Sequence, residues 1–200
     1  MKALAIGAAL LIAAAGMPVR AGGEKAPDPQ AQRILDEIAR TDSRRSADDL
    51  RAARELNADG DRDYRKGRYH KAFMSYANSY PNYPNPYAYI LSGDSHWRSV
   101  AGVQAASAPA STASDAASCR LDNKHFASDL RGDVVQHFQV GLALAAARKD
   151  TKFMATPLYR RAGAIEACLS AMADEYAAKP PSSCVDMAKL KSCLGEPLIK

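Results

Sequence analysis

Ser95, in Gly93-Asp94-Ser95-His96, and His125, in Asp122-Asn123-Lys124-His125, are the side chains of this sequence whose types could together do chemistry. A serine hydroxyl becomes an acyl-transfer nucleophile when an imidazole takes its proton and a carboxylate orients that imidazole. The setting is wrong for it. Such a serine is presented on a sharp turn after a β-strand, whereas Tyr87, Ile90, Leu91 and Trp97 recur at helical spacing around Ser95. The histidines offer no metal set either. His125 and His137 stand twelve residues apart on one helical pattern, about 18 Å along its axis, too far to share an ion. His70 has only basic and aromatic neighbours, the cysteine spacing fits no zinc or haem motif, and Arg131-Gly132-Asp133 lies within a helical pattern rather than on a loop. The expectation is a chain that is not an enzyme, with no catalytic residue, cofactor or metal.

The other chemistry on offer is binding. "YRKGRYHKAFMSYANSYPNYPNPYAYI", residues 64–90, holds seven of the nine tyrosines, and Arg62, Arg65, Lys66, Arg68 and Lys71 cluster around a glycine turn within and beside it. Cations next to stacking rings suit an anionic polymer such as a phosphorylated glycan, a lipid headgroup or single-stranded nucleic acid. Tyr69, Tyr76 and Tyr80, however, share one helical stripe, which assigns them to packing. Tyr83, Tyr87 and Tyr89 flank the Asn85-Pro86 helix start and are the ligand-facing candidates, together with Arg65, Lys66 and Arg68.

The elements that must position these residues read as helices throughout. Ala31, Ile34, Leu35 and Ile38 predict a first helix over 29–40, ended by Thr41-Asp42-Ser43. Ser46 with Asp49 has capping-box spacing and opens a second helix, whose Leu50, Ala53, Leu56, Gly60 and Tyr64 form one stripe up to Gly67. A third follows at once and stops at Pro81, and a fourth starts at Asn85-Pro86. Residues 104–118 are eleven parts Ala or Ser in fifteen and bury too little to offset ordering, which predicts a flexible linker. Beyond it, Phe126, Leu130, Val134, Phe138 and Leu142 predict a helix over 122–148 with a weak point at Gly132. Thr156-Pro157 opens another, with an apolar seam through Leu158, Ala162, Ile165, Leu169, Met172 and Tyr176, and Ser183 is expected to cap a last short helix ending at Gly195. No segment alternates as a strand. The fold class is all-α.

Within that pattern, residues 50–84 resemble a tetratricopeptide repeat, carried by Leu56, Gly60, Ala72, Tyr76 and Pro84 with small Ser79 between. Gly60 and Ala72 allow two helices to approach, Leu56 and Tyr76 fill the space beside them, and Pro84 stops the second helix. Asp59 and Asp63 depart from the family's leucine and aromatic, and "PYAYILSGDSHWR" makes only a partial second copy. The resemblance implies a scaffold whose groove receives an extended peptide or a helix, its open face covered here by the C-terminal helices. Gly93-Asp94-Ser95-His96 also resembles the nucleophile motif of GDS-type lipases and esterases, which implies an α/β sheet and a Gly-x-Asn-Asp oxyanion block. The chain has neither pattern.

Composition places the work outside the cytoplasm. Lys2, the apolar and small residues 3–16 and Val19-Arg20-Ala21 read as a signal peptide over 1–21, with no cysteine near the cleavage point to take a lipid anchor. Losing Lys2 and Arg20 lowers the formal charge from +5 by two, too mild an excess for a nucleic-acid signature. Four cysteines in an oxidising compartment imply two disulfides. Two antiparallel helices joined through residues 179–183 would set Cys168 and Cys193 equidistant from the turn, leaving Cys119 for Cys184.

The expected organisation is a signal peptide over 1–21, a helix and linker over 22–45, a TPR-like region over 46–103, the linker over 104–118 and a disulfide-stapled helical bundle over 119–200. The expected function is that of a periplasmic or secreted adaptor without a stable membrane anchor, binding another envelope or secreted protein. The alternative is a module for an anionic cell-surface polymer.

Overall fold

The computed structural model describes residues 28–102 and 121–200. The expected signal peptide, the linker over 104–118 and Cys119 lie outside the described residues. The described chain is helical, with no strand. Its elements are α1 (Pro29–Thr41), α2 (Ala47–Arg65), α3 (Tyr69–Ser79), α4 (Pro86–Val100), α5 (Asn123–Asp133), a π-helical segment (Val134–Gln139), α6 (Val140–Ala147), α7 (Thr151–Met154), α8 (Pro157–Ala177) and α9 (Met187–Leu194).

Local signals account for most of the boundaries. Ser46 and Asp49 form a reciprocal capping box on α2, each side chain taking the other's backbone N–H. Asn85 caps α4 and Thr156 caps α8, each followed by a proline whose missing N–H costs nothing there. Gly67 turns the chain at φ 69°, a conformation that residues with a Cβ rarely adopt, so α2 can double back directly into α3. The last helix departs from expectation: Asp186, not Ser183, caps α9, its carboxylate accepting from the N–H groups of Ala188 and Lys189. Residues 183–185 are diverted into an antiparallel bridge, Val185 N–H donating to Leu121 at 3.0 Å and Asn123 N–H to Ser183 at 2.9 Å.

Helices α2, α3 and α4 pack consecutively, and their closest approach runs through glycine. A Cβ on Gly60 would stand 2.6 Å from the Tyr76 ring, and that ring is fixed because its hydroxyl donates to Asp61 Oδ1 at 2.7 Å. The ring cannot swing aside. Gly60→Val should therefore cost about 1 to 3 kcal/mol, read as a lower urea midpoint with unchanged helical content at low denaturant. Gly93 and Gly141 bring α4 equally close to the π segment and α6, where added methyls would meet Phe138 and Ile90.

The main core joins these helices to the C-terminal ones. Trp97 meets Phe126 edge-on, Phe126 meets Tyr176 likewise, and the α8 seam of Ala162, Ile165, Leu169, Met172 and Tyr176 is buried against them. A smaller cluster unites Ala31 and Ile38 of α1 with Tyr89, Val135, Val140 and Leu144. Cys168 on α8 is bonded to Cys193 on α9, as the hairpin argument expects. Cys184 is disulfide-bonded as well, and its expected partner, Cys119, is outside the described residues.

Candidate functional site

The basic turn is largely neutralised by its own helix. Asp59, Asp61 and Asp63 lie on the last turns of α2, where Arg62 pairs with Asp59 at 2.7 Å, Arg65 reaches Asp61 at 3.6 Å and Arg68 pairs with Asp63. Lys66 and Lys71 remain exposed without such a pairing among the described residues. These are solvated pairs, each contributing on the order of 1 kcal/mol or less, and the excess positive charge over the turn is small.

The tyrosines divide differently from expectation. Tyr89, expected to face a ligand, is buried: it stacks on Tyr80 with ring centres 4.2 Å apart and packs against α1. Its helix is covered on nearly every side, so a position on the outer side of the helical stripe still meets protein. Tyr87 is half-buried and likewise tied inward, its hydroxyl donating to the same Asp61 Oδ1 as Tyr76, at 2.6 Å. Burial and that carboxylate raise both phenol pKa values, so both hydroxyls stay protonated donors. Tyr83 is partly exposed beneath the Arg148 guanidinium, 5.8 Å from its ring centre. Of the six expected binding residues, Arg65, Lys66, Arg68 and Tyr83 keep accessible side chains, but the fold does not gather Tyr87 and Tyr89 into a face with them.

Ser95 and Asp94 are both wholly buried inside α4, away from any turn. His125 is exposed on the first turn of α5. Arg131 and Asp133 of the Arg-Gly-Asp sequence are engaged within the fold, Arg131 with Asp174 at 2.5 Å and Asp133 with His96 at 3.1 Å. Among the described residues no group of three or more His, Cys, Asp and Glu could hold a metal ion, and no helix is long and apolar enough to cross a membrane.

The polar centre of the molecule is one that spacing did not single out. Asp94 Oδ2 accepts from the Tyr64 hydroxyl of α2 and from Arg98 Nε at 2.7 Å, with both charged side chains completely buried. Burial pushes the Asp94 carboxyl above its ordinary range, while Arg98 and Tyr64 oppose that shift by binding the carboxylate. Arg98 is held above its ordinary value by that same carboxylate despite its own desolvation.

From this pair the network runs outward to residues 194–200. The Arg98 guanidinium donates to the carbonyls of Leu194 and Gly195, both at 2.9 Å, and of Glu196 at 2.7 Å. It thereby caps the C-terminal end of α9, where carbonyls lack helical partners and the dipole favours a cation. The Tyr64 hydroxyl also accepts from Leu198 N–H at 2.8 Å, Arg161 of α8 donates to Pro197 O at 2.9 Å and to Glu196 O, and Arg65 Nε donates to Lys200 O at 2.8 Å. Leu198 closes the contact as part of the main core, 8% exposed. Helices α2, α4 and α8 thus hold residues 195–200, a segment without regular secondary structure, by its main chain and the aliphatic side chains of Leu198 and Ile199. Asp94 and Arg98 are visible in the sequence as an i, i+4 opposite-charge pair on an apolar helix, the one signal that could have located this centre.

A second polar cluster lies on the other side of α4. His137, on the π segment, is 3% exposed with Phe73 and Tyr80 around its ring, and its Nδ1 has no hydrogen-bond partner among the described residues. Burial lowers its pKa to about 4, which leaves it neutral near pH 7. No protein-family model, curated protein sequence or solved structure matches this chain, so the reading of the site rests on its geometry.

Proposed function

We propose that this chain is an exported helical adaptor that binds another envelope or secreted protein through the surface formed by α2, α4 and α8. The observation that carries the reading is the grip of Tyr64, Arg65, Arg98 and Arg161 on residues 194–200. Each of these hydrogen bonds is made to main-chain atoms, and the side-chain contacts are aliphatic, Leu198 in an apolar seat with Ile199 packed beside it. Donors from three arginines and an accepting tyrosine hydroxyl, all addressed to main chain, suit recognition of polypeptide. On this reading α2 and α3 are a TPR-like hairpin whose open side is closed by the C-terminal helices, and Cys168–Cys193 suits an oxidising compartment outside the cytoplasm.

Binding to an anionic polymer has less support. It needs unpaired cations and accessible rings, while Arg65 and Arg68 already face Asp61 and Asp63 and Tyr89 is buried. Immobilised full-length chain, incubated with envelope extract under non-reducing conditions, is expected to retain a stoichiometric protein partner that survives 0.5 M salt. Recovery of polymer alone, eluted by salt and lost in Lys66→Glu/Lys71→Glu, would overturn the adaptor reading.

A further inference from the structure

We propose that residues 195–200 are a ligand bound in cis, and that the seat they fill accepts in their place an extended segment of a partner protein, proline followed by two aliphatic residues. The inference rests on the adaptor reading and adds to it the occupant that the partner must displace.

Three observations set this segment apart from an ordinary packed loop. The hydrogen bonds that hold it, from Arg65, Arg98, Arg161 and Tyr64, all address its carbonyls or its Leu198 N–H, so most of the grip is independent of sequence. Recognition by main chain plus one buried anchor is how a surface binds exchangeable peptides. Next, α9 ends at Gly195, whose φ of 55° is a conformation that residues with a Cβ rarely adopt, so the chain turns out of the helix there and residues 196–200 are no part of it. Finally, the disulfide to Cys168 fixes α9 through Cys193 and stops short of the segment. Residues 195–200 are held by hydrogen bonds and apolar contacts, and can leave while α8 and α9 stay joined.

The same contacts define what can take its place. Arg98 is fully buried, and release of the segment leaves it Asp94 and the Leu194 carbonyl of α9 but takes away the carbonyls of Gly195 and Glu196, whose place water or a replacement must fill. A replacement must therefore bring a run of backbone carbonyls at the same spacing, together with an aliphatic side chain for the Leu198 position. A proline at the 197 position costs nothing, because its carbonyl is used by Arg161 and no donor is asked of its nitrogen. Because the cis segment is tethered directly to the seat, it competes at an effective concentration in the millimolar range. Free peptide should bind wild type poorly and bind well once the cis segment is weakened.

The test uses the peptide Gly-Glu-Pro-Leu-Ile-Lys, fluorescently labelled at its N-terminus, titrated by anisotropy against the full chain and against Leu198→Asp. The variant is expected to bind about tenfold more tightly or better, and a peptide with aspartate at the leucine position is expected to bind neither protein. A folded Leu198→Asp protein, with Cys168 still bonded to Cys193, that binds no better than wild type would overturn the proposal. Should that variant not fold, hydrogen exchange in wild type decides: the Leu198 amide is expected to exchange through local opening, well ahead of the α9 amides. Exchange of Leu198 only with global unfolding sinks the idea. Retention of an envelope protein that Leu198→Asp leaves unchanged removes this inference and keeps the adaptor reading, whereas peptide binding with no protein retained keeps the site and removes the adaptor.

Discussion

Arg98→Ala is expected to lower the unfolding free energy by about 3 to 5 kcal/mol, the largest effect of any single substitution proposed for this chain. The guanidinium is the cation that binds the buried Asp94 carboxylate, and it is also the donor for three carbonyls at the end of α9. Truncation leaves a charge and several acceptors unpaired in an interior that water does not reach. Much of the loss is the penalty on the abandoned partners rather than the worth of the pair itself. Asp94→Asn/Arg98→Met should therefore recover part of the loss, since it removes both charges while nearly keeping the volume. Urea denaturation of wild type, Asp94→Asn, Arg98→Met and the double variant measures the coupling. If Arg98→Ala costs less than about 1 kcal/mol, the buried pair does not hold the tail and the α2, α4 and α8 surface as described.

Stability should also fall as the pH is lowered from about 6.5 to about 4, by about 3 kcal/mol from His137 alone. The sign follows from proton binding. The unfolded imidazole takes up its proton near its ordinary value of 6.5, while the buried one resists until about 4. Throughout that window the unfolded chain binds more protons, so acid favours it, and the contribution is fully present only above the upper limit. The groups facing the ring are Asp133 on the same helical run, which favours the proton, and His96 on α4, which opposes it, with Phe73 of α3 and Tyr80 just after that helix closing the apolar side. His137→Gln removes the titrating group. Its unfolding free energy, measured by urea at pH 7, 6, 5 and 4, should decline less steeply than that of wild type. Parallel curves for the two proteins would show that His137 is already solvated in the fold.

The helix starts were legible because their chemistry is local. Ser46 with Asp49, Asn85 with Pro86 and Thr156 with Pro157 each satisfy orphan amides using neighbours in sequence, and each operates in the structure. The Cys168–Cys193 pairing was legible for a related reason, a turn of known length between two helices. What the sequence concealed depends on which faces become covered. A stripe on α4 through Tyr87, Ile90, Leu91 and Trp97 identifies one buried side, on which Asp94 and Arg98 also lie, but α4 is enclosed by α3, α6, the π segment and α9, so Tyr89 is interior despite lying on the opposite side. Ser183 and Asp186 are both competent caps three residues apart. The bridge from residues 183–185 to 121–123 decides between them, and it joins positions about sixty apart in the chain. The tail's attachment was hidden for a different reason, since main-chain recognition of residues 194–200 leaves no imprint on their side chains.

The π-helical run over 134–139 is the structural counterpart of one residue inserted into an ordinary helix. It lets a single continuous rod present two different faces inward: Phe126, Leu130 and Val134 to the main core ahead of it, and Val140 and Leu144 to α1 beyond it. The run takes up the extra residue locally, so the residues after it keep their facing; wound as regular α-helix, the same residues would rotate everything after the run by about 100°, turning Val140 and Leu144 away from α1 and taking Gly141 out of its fit against Ile90. The frame of this helix, counted in residues, is what allows one element to serve two cores.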